Sequence, residues 1–196
     1  MMPSSVATPV SPGPPRNLRW TVDQFHYLGD LGMFEGRRAM LIDGVIVEEG
    51  PMNPPHAIAG EKTEGAIRAA FGTGWRVRVQ KPLVLGQTTD PEPDVAVVRG
   101  THQGTSAHPT TAELVVEISD TSLHFDTTTK AEWYAAGIPD YWVLDVSGRR
   151  LLVLRDPAPV AAGGAAYRTH LAFGPTDSVS PLAAPRGSIA VADLLP

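Results

Sequence analysis

Apolar residues along the 196-residue chain fall into short blocks, some with a helical period and some with a strand period. Thr21-Val22-Asp23-Gln24 has capping-box spacing, and Val22, Phe25, Leu28 and Met33 then predict a short helix ending near Gly32. Ala39 to Glu49 reads as a hairpin, with apolar residues flanking the turn pair Asp43-Gly44. Ile58, Ala66, Ile67, Ala70 and Phe71 mark one face of a helix from His56 to Phe71, stopped by Gly72. Trp75 to Gln80 alternates strictly, as a strand with one wet face does, and Pro82 to Leu85 could extend it past a kink.

The next two blocks, Asp94 to Val98 and Leu114 to Ile118, are nearly continuous apolar runs, the pattern of strands covered on both faces. Asp126 reads as the N-cap of a helix over Thr127 to Ala136, closed by Gly137 with Pro139 behind it. Tyr141 to Val146 and Arg150 to Arg155 read as strands joined at Ser147-Gly148. Residues 157–165 read as a loop, Tyr167 to Phe173 as a late strand, and Ile189 to Leu195 as a short helical cap. From His56 onward the core order is αβββαβ. That order predicts an α/β fold: a mixed β-sheet flanked by helices, behind an N-terminal helix and hairpin. Residues 3–17 are Pro/Ser/Gly-rich and aperiodic, so the expected organisation is a flexible leader over 1–17 and a single domain over 18–196.

Composition narrows the function classes. Apolar residues make up 42% and charged residues 19%, as in globular proteins. No apolar run is long enough to span a bilayer, and the first residues lack the pattern of a secretory signal. The absence of cysteine excludes disulfides, thiol catalysis and a thiolate zinc site, and favours a cytoplasmic location. A net charge of −5 runs against a wholly basic nucleic-acid-binding surface, although bound cations can reverse the sign locally.

Two carboxylates stand where structure alone would not put them. Asp94 opens an apolar strand, and Glu117 interrupts Leu-Val-Val-Glu-Ile. An ionised carboxylate in such a run costs several kcal/mol unless a cation or several donors meet it. If the two strands are antiparallel neighbours, the start of one lies beside the end of the other, and the carboxylates converge. Oxygen ligands without sulfur suit Mg²⁺ or Mn²⁺. Lys130, on the following helix, could orient a water or stabilise charge on a phosphate. Ser119 shares the sheet face of Glu117 and could donate to the same groups.

Pro93-Asp94, Glu117-Ile118-Ser119, Lys130 with Tyr134, Gly137-Ile138 and Asp140-Tyr141-Trp142-Val143-Leu144-Asp145 together resemble the Uma-two family, a branch of the PD-(D/E)XK nucleases. The resemblance takes in Leu41-Ile42-Asp43-Gly44, His56 and the closing Ser180 to Leu195. It implies a restriction-endonuclease-like fold with Asp94 and Glu117 as metal ligands. The lysine that usually follows the Glu by two residues is replaced by Ser119, its function moved to Lys130. An acid that often precedes the Leu-Ile-Asp-Gly turn is Met40 here, which makes Glu48 a candidate replacement.

Structural alternatives stand beside each assignment. Asp94 could cap a turn, Glu117 could pair with a buried arginine, Lys130 could be a solvated helix residue, Ser119 could cap the next loop, and His56 could simply begin its helix. Other catalytic classes lack their motifs: there is no Gly-x-Ser-x-Gly, no complete P-loop and no dinucleotide glycine fingerprint. The expected function is Mg²⁺- or Mn²⁺-dependent hydrolysis of DNA phosphodiester bonds, with a homodimer as the working form. The alternatives are a non-catalytic nuclease-like adaptor, or a hydrolase of another phosphodiester such as RNA.

Overall fold

The computed structural model describes residues 16–101, 106–161 and 163–196. The expected leader therefore lies outside the described residues, except for Arg16 and Asn17, which are exposed coil. Helix α1 (Val22–Asp30) begins at Thr21, where the capping box with Gln24 closes as the spacing predicts. It ends before Gly32, and Met33, expected on its apolar face, is exposed. Strands β1 (Arg38–Ile42) and β2 (Val45–Glu49) form the hairpin around Asp43-Gly44. Both turn residues have positive φ, the requirement that favours Asp-Gly in a two-residue loop.

Helix α2 (Pro54–Phe71) starts two residues earlier than expected, with Asn53 capping the His56 amide and prolines in the first turn, where no N–H is missed. Then come β3 (Trp75–Val79), β4 (Val95–Arg99), β5 (Leu114–Ser119) and a helical segment. That segment comprises α3 (Leu123–Phe125), a π-helical turn over Asp126–Lys130, and α4 (Ala131–Ala135). Strands β6 (Asp140–Asp145), β7 (Arg150–Pro159) and β8 (Ala165–Phe173) follow. The six central strands lie in the order β3-β4-β5-β6-β7-β8, with β5 and β6 parallel and every other neighbouring pair antiparallel. A parallel neighbour requires a crossover, and the helical segment supplies it.

Several boundaries differ from the sequence reading. Pro82 to Leu85 does not extend β3, because Gln80 turns the chain at positive φ. Residues 157–165 are not all loop, since β7 runs on to Pro159 and β8 begins at Ala165. Beyond Arg155 the neighbouring strand β6 has ended, so the prolines at 157 and 159 cost no ladder bond on that side. Ile189 to Leu195 is not a helical cap throughout. Ile189–Ala190 is a short strand, β10, paired with Ser178–Val179, β9, and only Val191–Asp193 turns as a 3₁₀ helix.

The two faces of the sheet carry separate cores. On one face Ile67 and Phe71 of α2 meet Val95, Val97, Val116, Ile118 and Trp142. On the other, Tyr134 and Ile138 meet Ala96, Val115, Tyr141 and Val143. A third cluster joins Val22, Phe25 and Leu41, and an isolated bridge from Leu41 to Asp90 fastens the hairpin to the loop before β4. Among the described residues no helix is long and apolar enough to cross a membrane.

Asp140 locks the C-terminal segment to the sheet. It is fully buried and accepts from Arg155 Nε (2.7 Å) and Nη2 (3.2 Å), from the Trp142 indole (2.8 Å) and from the Leu182 amide (2.8 Å). Removing one side of a buried pair strands the other charge. Asp140→Ala is therefore expected to lower stability by about 3–5 kcal/mol in urea unfolding, with Asp140→Asn costing less. A loss under about 1 kcal/mol for the alanine variant would contradict this role.

Candidate active site

The geometry that brings the two acidic residues together starts in the β4–β5 ladder. Val95 pairs with Val116, so the next step along each strand sets Asp94 beside Glu117. Side chains alternate between faces, and Val115 lies in the second core, so Glu117 falls where that core would continue. Asp94 is held from two sides. Its Oδ2 accepts the Ile118 amide at 2.8 Å, and its Oδ1 lies 3.1 Å from His56 Nε2. His56 reaches it from the first turn of α2.

Glu117 is 2% exposed, and both its oxygens are engaged by the crossover segment. The Tyr134 hydroxyl donates to Oε1 at 2.7 Å, and Lys130 Nζ lies 3.0 Å from Oε2. Lys130 also lies 3.2 Å from Asp126 Oδ1. The π-helical turn puts these last two residues on one inward face. Three successive threonines favour such a widened turn, since the Thr127 and Thr128 hydroxyls bond back to the carbonyls of Leu123 and His124. The Tyr141 hydroxyl donates to the Asp126 carbonyl at 2.8 Å. Asp126 is thus no N-cap: the helical segment starts at Leu123, and Asp126 sits inside it, buried, accepting from Ser122 Oγ.

The charges follow from this packing. Burial pushes Glu117 up to about 8, more than Lys130 can offset. Burial pushes Lys130 down, but Glu117 and Asp126 outweigh it and hold the ammonium well above the ordinary lysine value. The hydrogen bond to Asp94 raises His56 against its burial. Burial alone would raise Asp94, but His56, the Ile118 amide and Lys130 together hold it below its usual range. Asp94 and His56 thus each favour the other's charged form, next to a protonatable glutamate.

Asp94, His56, Asp126 and Lys130 line a cavity of about 320 Å³, with Arg38 and Glu49 at its β1–β2 side, while Glu117 is buried and does not line it. A larger cavity of about 580 Å³ lies between α4 and the β7–β8 hairpin; Asp43 and Glu132 line it, with no lysine or arginine. It lacks the paired acid and base.

A family model described as "Putative restriction endonuclease", Uma2, matches residues 22–192. The chain belongs to the Uma2 family. The fold is similar to a crystal structure at 1.96 Å of a putative nuclease belonging to DUF820 from Anabaena variabilis ATCC 29413. The TM-score is 0.68 at 17% identity, covering 89% of this chain and 96% of that one, which supports the restriction-endonuclease-like mixed sheet. No curated protein matches.

Within this Uma2 chain, Asp94, Glu117, Lys130 and His56 come together at one end of the sheet, and two expected participants do not. Ser119 is fully buried with its hydroxyl 3.5 Å from that of Ser122; like Glu117 it does not line the cavity, and unlike Glu117 it has no contact with Lys130. Glu48 is exposed and paired with Arg37 at 3.6 Å. Glu49 is the residue of β2 that lines the cavity, 2.9 Å from Arg38, its partner in the hairpin register. A two-residue turn at Asp43-Gly44 sets that register, so the Arg38–Glu49 pairing carried a readable signal. Asp126 carried one too, since it stands four residues before Lys130. Met40 is buried in the hairpin opposite Val47.

A raised carboxylate value has a definite sign in stability. The proton on Glu117 favours the folded state at low pH, and that contribution is lost as pH rises from the unfolded value near 4.5 through about 8. In cation-free buffer the melting temperature of the parent is expected to fall relative to Glu117→Gln across that window. A constant difference between the two proteins over the same range would contradict the raised value.

Proposed function

We propose that this chain is a divalent-metal-dependent endonuclease that hydrolyses DNA phosphodiester bonds. One observation carries the reading: Asp94 and Glu117 stand opposite each other on adjoining antiparallel strands, Lys130 lies 3.0 Å from the buried Glu117, and Asp94 and Lys130 line one cavity. Membership of the Uma2 family and the nuclease-like fold support it.

The donor set was tested against the expected cation. Asp94 and Glu117 offer hard oxygens; Asp94 Oδ2 and both Glu117 oxygens have one partner each, and Asp94 Oδ1 is approached by both His56 and Gln80. Among the described residues no three His, Cys, Asp or Glu side chains form a ready metal cage. Mg²⁺ and Mn²⁺ can be held by one or two carboxylates, with water and phosphate completing the shell. Asp94 and Glu117 would hold it. Bound there, it supplies positive charge against a phosphate oxygen and lowers the pKa of a water.

The protein's own groups do the rest. The Ile118 amide and His56 hold Asp94 in one rotamer. The Tyr134 hydroxyl fixes Glu117 from below. The Lys130 ammonium, with three donors, orients the attacking water or takes up charge on the phosphate. Water adds to phosphorus, the ester P–O bond breaks, and the leaving oxygen takes a proton. Arg38 brings a planar fork suited to phosphate to the mouth of the cavity.

A second reading has its own support. Lys130 and Tyr134 between them engage both oxygens of Glu117, as would be expected in a nuclease-like adaptor without turnover. A plasmid-nicking assay with Mn²⁺ separates the two. The parent is expected to nick, Glu117→Ala to lose Mn²⁺ binding by calorimetry, and Lys130→Ala to lose at least roughly hundredfold in rate. Because Glu117 must be ionised to take a cation, Mn²⁺ affinity is expected to rise with pH and level off above about 8. Nicking untouched by both substitutions would end this assignment, and a folded parent that binds DNA without nicking would favour the adaptor.

A further inference from the structure

Lys130 has two carboxylate partners, and the proposed reaction asks one of them to do something else. We propose that Asp126 is a positioning residue that holds the Lys130 ammonium over the cavity while Glu117 is given up to a divalent cation. The inference rests on the nuclease reading above and adds a residue to it.

Three observations carry it. Asp126 is 1% exposed, a burial that an aspartate does not bear without a partner. Its two oxygens are used differently: Oδ2 accepts from Ser122, whereas Oδ1 has no hydrogen-bond partner of normal geometry and faces Lys130 Nζ at 3.2 Å. The π-helical turn that sets Asp126 and Lys130 on one face is braced by Tyr141 from the sheet, and such turns collect at functional sites.

The physical reason follows from like charges. A cation and an ammonium cannot share one carboxylate oxygen without repulsion. If Glu117 were the sole anchor, each cation bound would drive Lys130 away from the place where it acts, and each ammonium in place would oppose the cation. Asp126 removes that competition. The ammonium leans from Glu117 toward Asp126 over a short distance and stays at the cavity edge. Ser122 keeps the Asp126 carboxylate turned toward it.

The test is a double-mutant cycle read by Mn²⁺ calorimetry on the parent, Asp126→Asn, Lys130→Met and the double variant. With Lys130 present, Asp126→Asn is expected to weaken Mn²⁺ binding roughly tenfold, because the ammonium then falls back on Glu117. On the Lys130→Met background the same change is expected to cost less than about twofold. Equal losses on both backgrounds would overturn the proposal, since Asp126 would then act on the cation directly. A parent that takes no Mn²⁺ would overturn the nuclease reading first, and this inference with it. Should Asp126→Asn fail to fold, Ser122→Ala enters the same cycle and is expected to give the same coupling at smaller size. Turnover gives a second readout: Asp126→Asn lowers kcat and leaves KM for plasmid unchanged, and a change confined to KM would also overturn the proposal.

Discussion

The buried contact between Glu117 and Lys130 is the interaction on which the rest of this structure depends. A carboxylate in the middle of a strand covered on both faces would cost several kcal/mol if left alone. Here the sheet topology delivers the groups that offset part of that cost. Because β5 and β6 are parallel, the chain must cross over between them, and the crossover is the segment that carries Lys130 and Tyr134 back over Glu117. Helix, sheet order and site are thus one arrangement. Moving the glutamate one residue along β5 would turn it to the other face, where α2 packs.

Much of this was legible before any coordinates. The αβββαβ order, the hairpin at Asp43-Gly44 and the meeting of Asp94 with Glu117 follow from apolar runs, turn chemistry and the alternation of faces. What the sequence hid has physical causes. Asp126 before three threonines carries the local signature of an N-cap, and the Tyr141 hydroxyl, which arrives from a later strand, joins the threonine back-bonds in favouring a π turn instead. Glu48 and Glu49 differ by one position in a strand, and which of the two faces the cavity depends on how the hairpin docks through Leu41 and Asp90. Pro157 and Pro159 read as strand breakers because nothing local tells that β6 has already ended beside them.

The acidic balance of the chain, −5 overall, takes on another meaning at the site. Arg38, His56 and Lys130 stand among Glu49, Asp94, Glu117 and Asp126, each cation paired with an acid. On the proposed reading, a phosphate entering this cavity alone would meet carboxylates, and one entering with a divalent cation would meet freed donors. The affinity for nucleic acid would then be tied to the cation.

The central claim, that Asp94 and Glu117 share a cation beside a retained Lys130, is open to direct sight. A crystal soaked in Mn²⁺ gives an anomalous-difference map in which the ion stands out from every light atom. The account predicts one peak between the two carboxylates, about 2.1 Å from an oxygen of each, with the Lys130 ammonium still against Asp126. A map with Mn²⁺ elsewhere, or with none while Lys130 stays seated on Glu117, would contradict it.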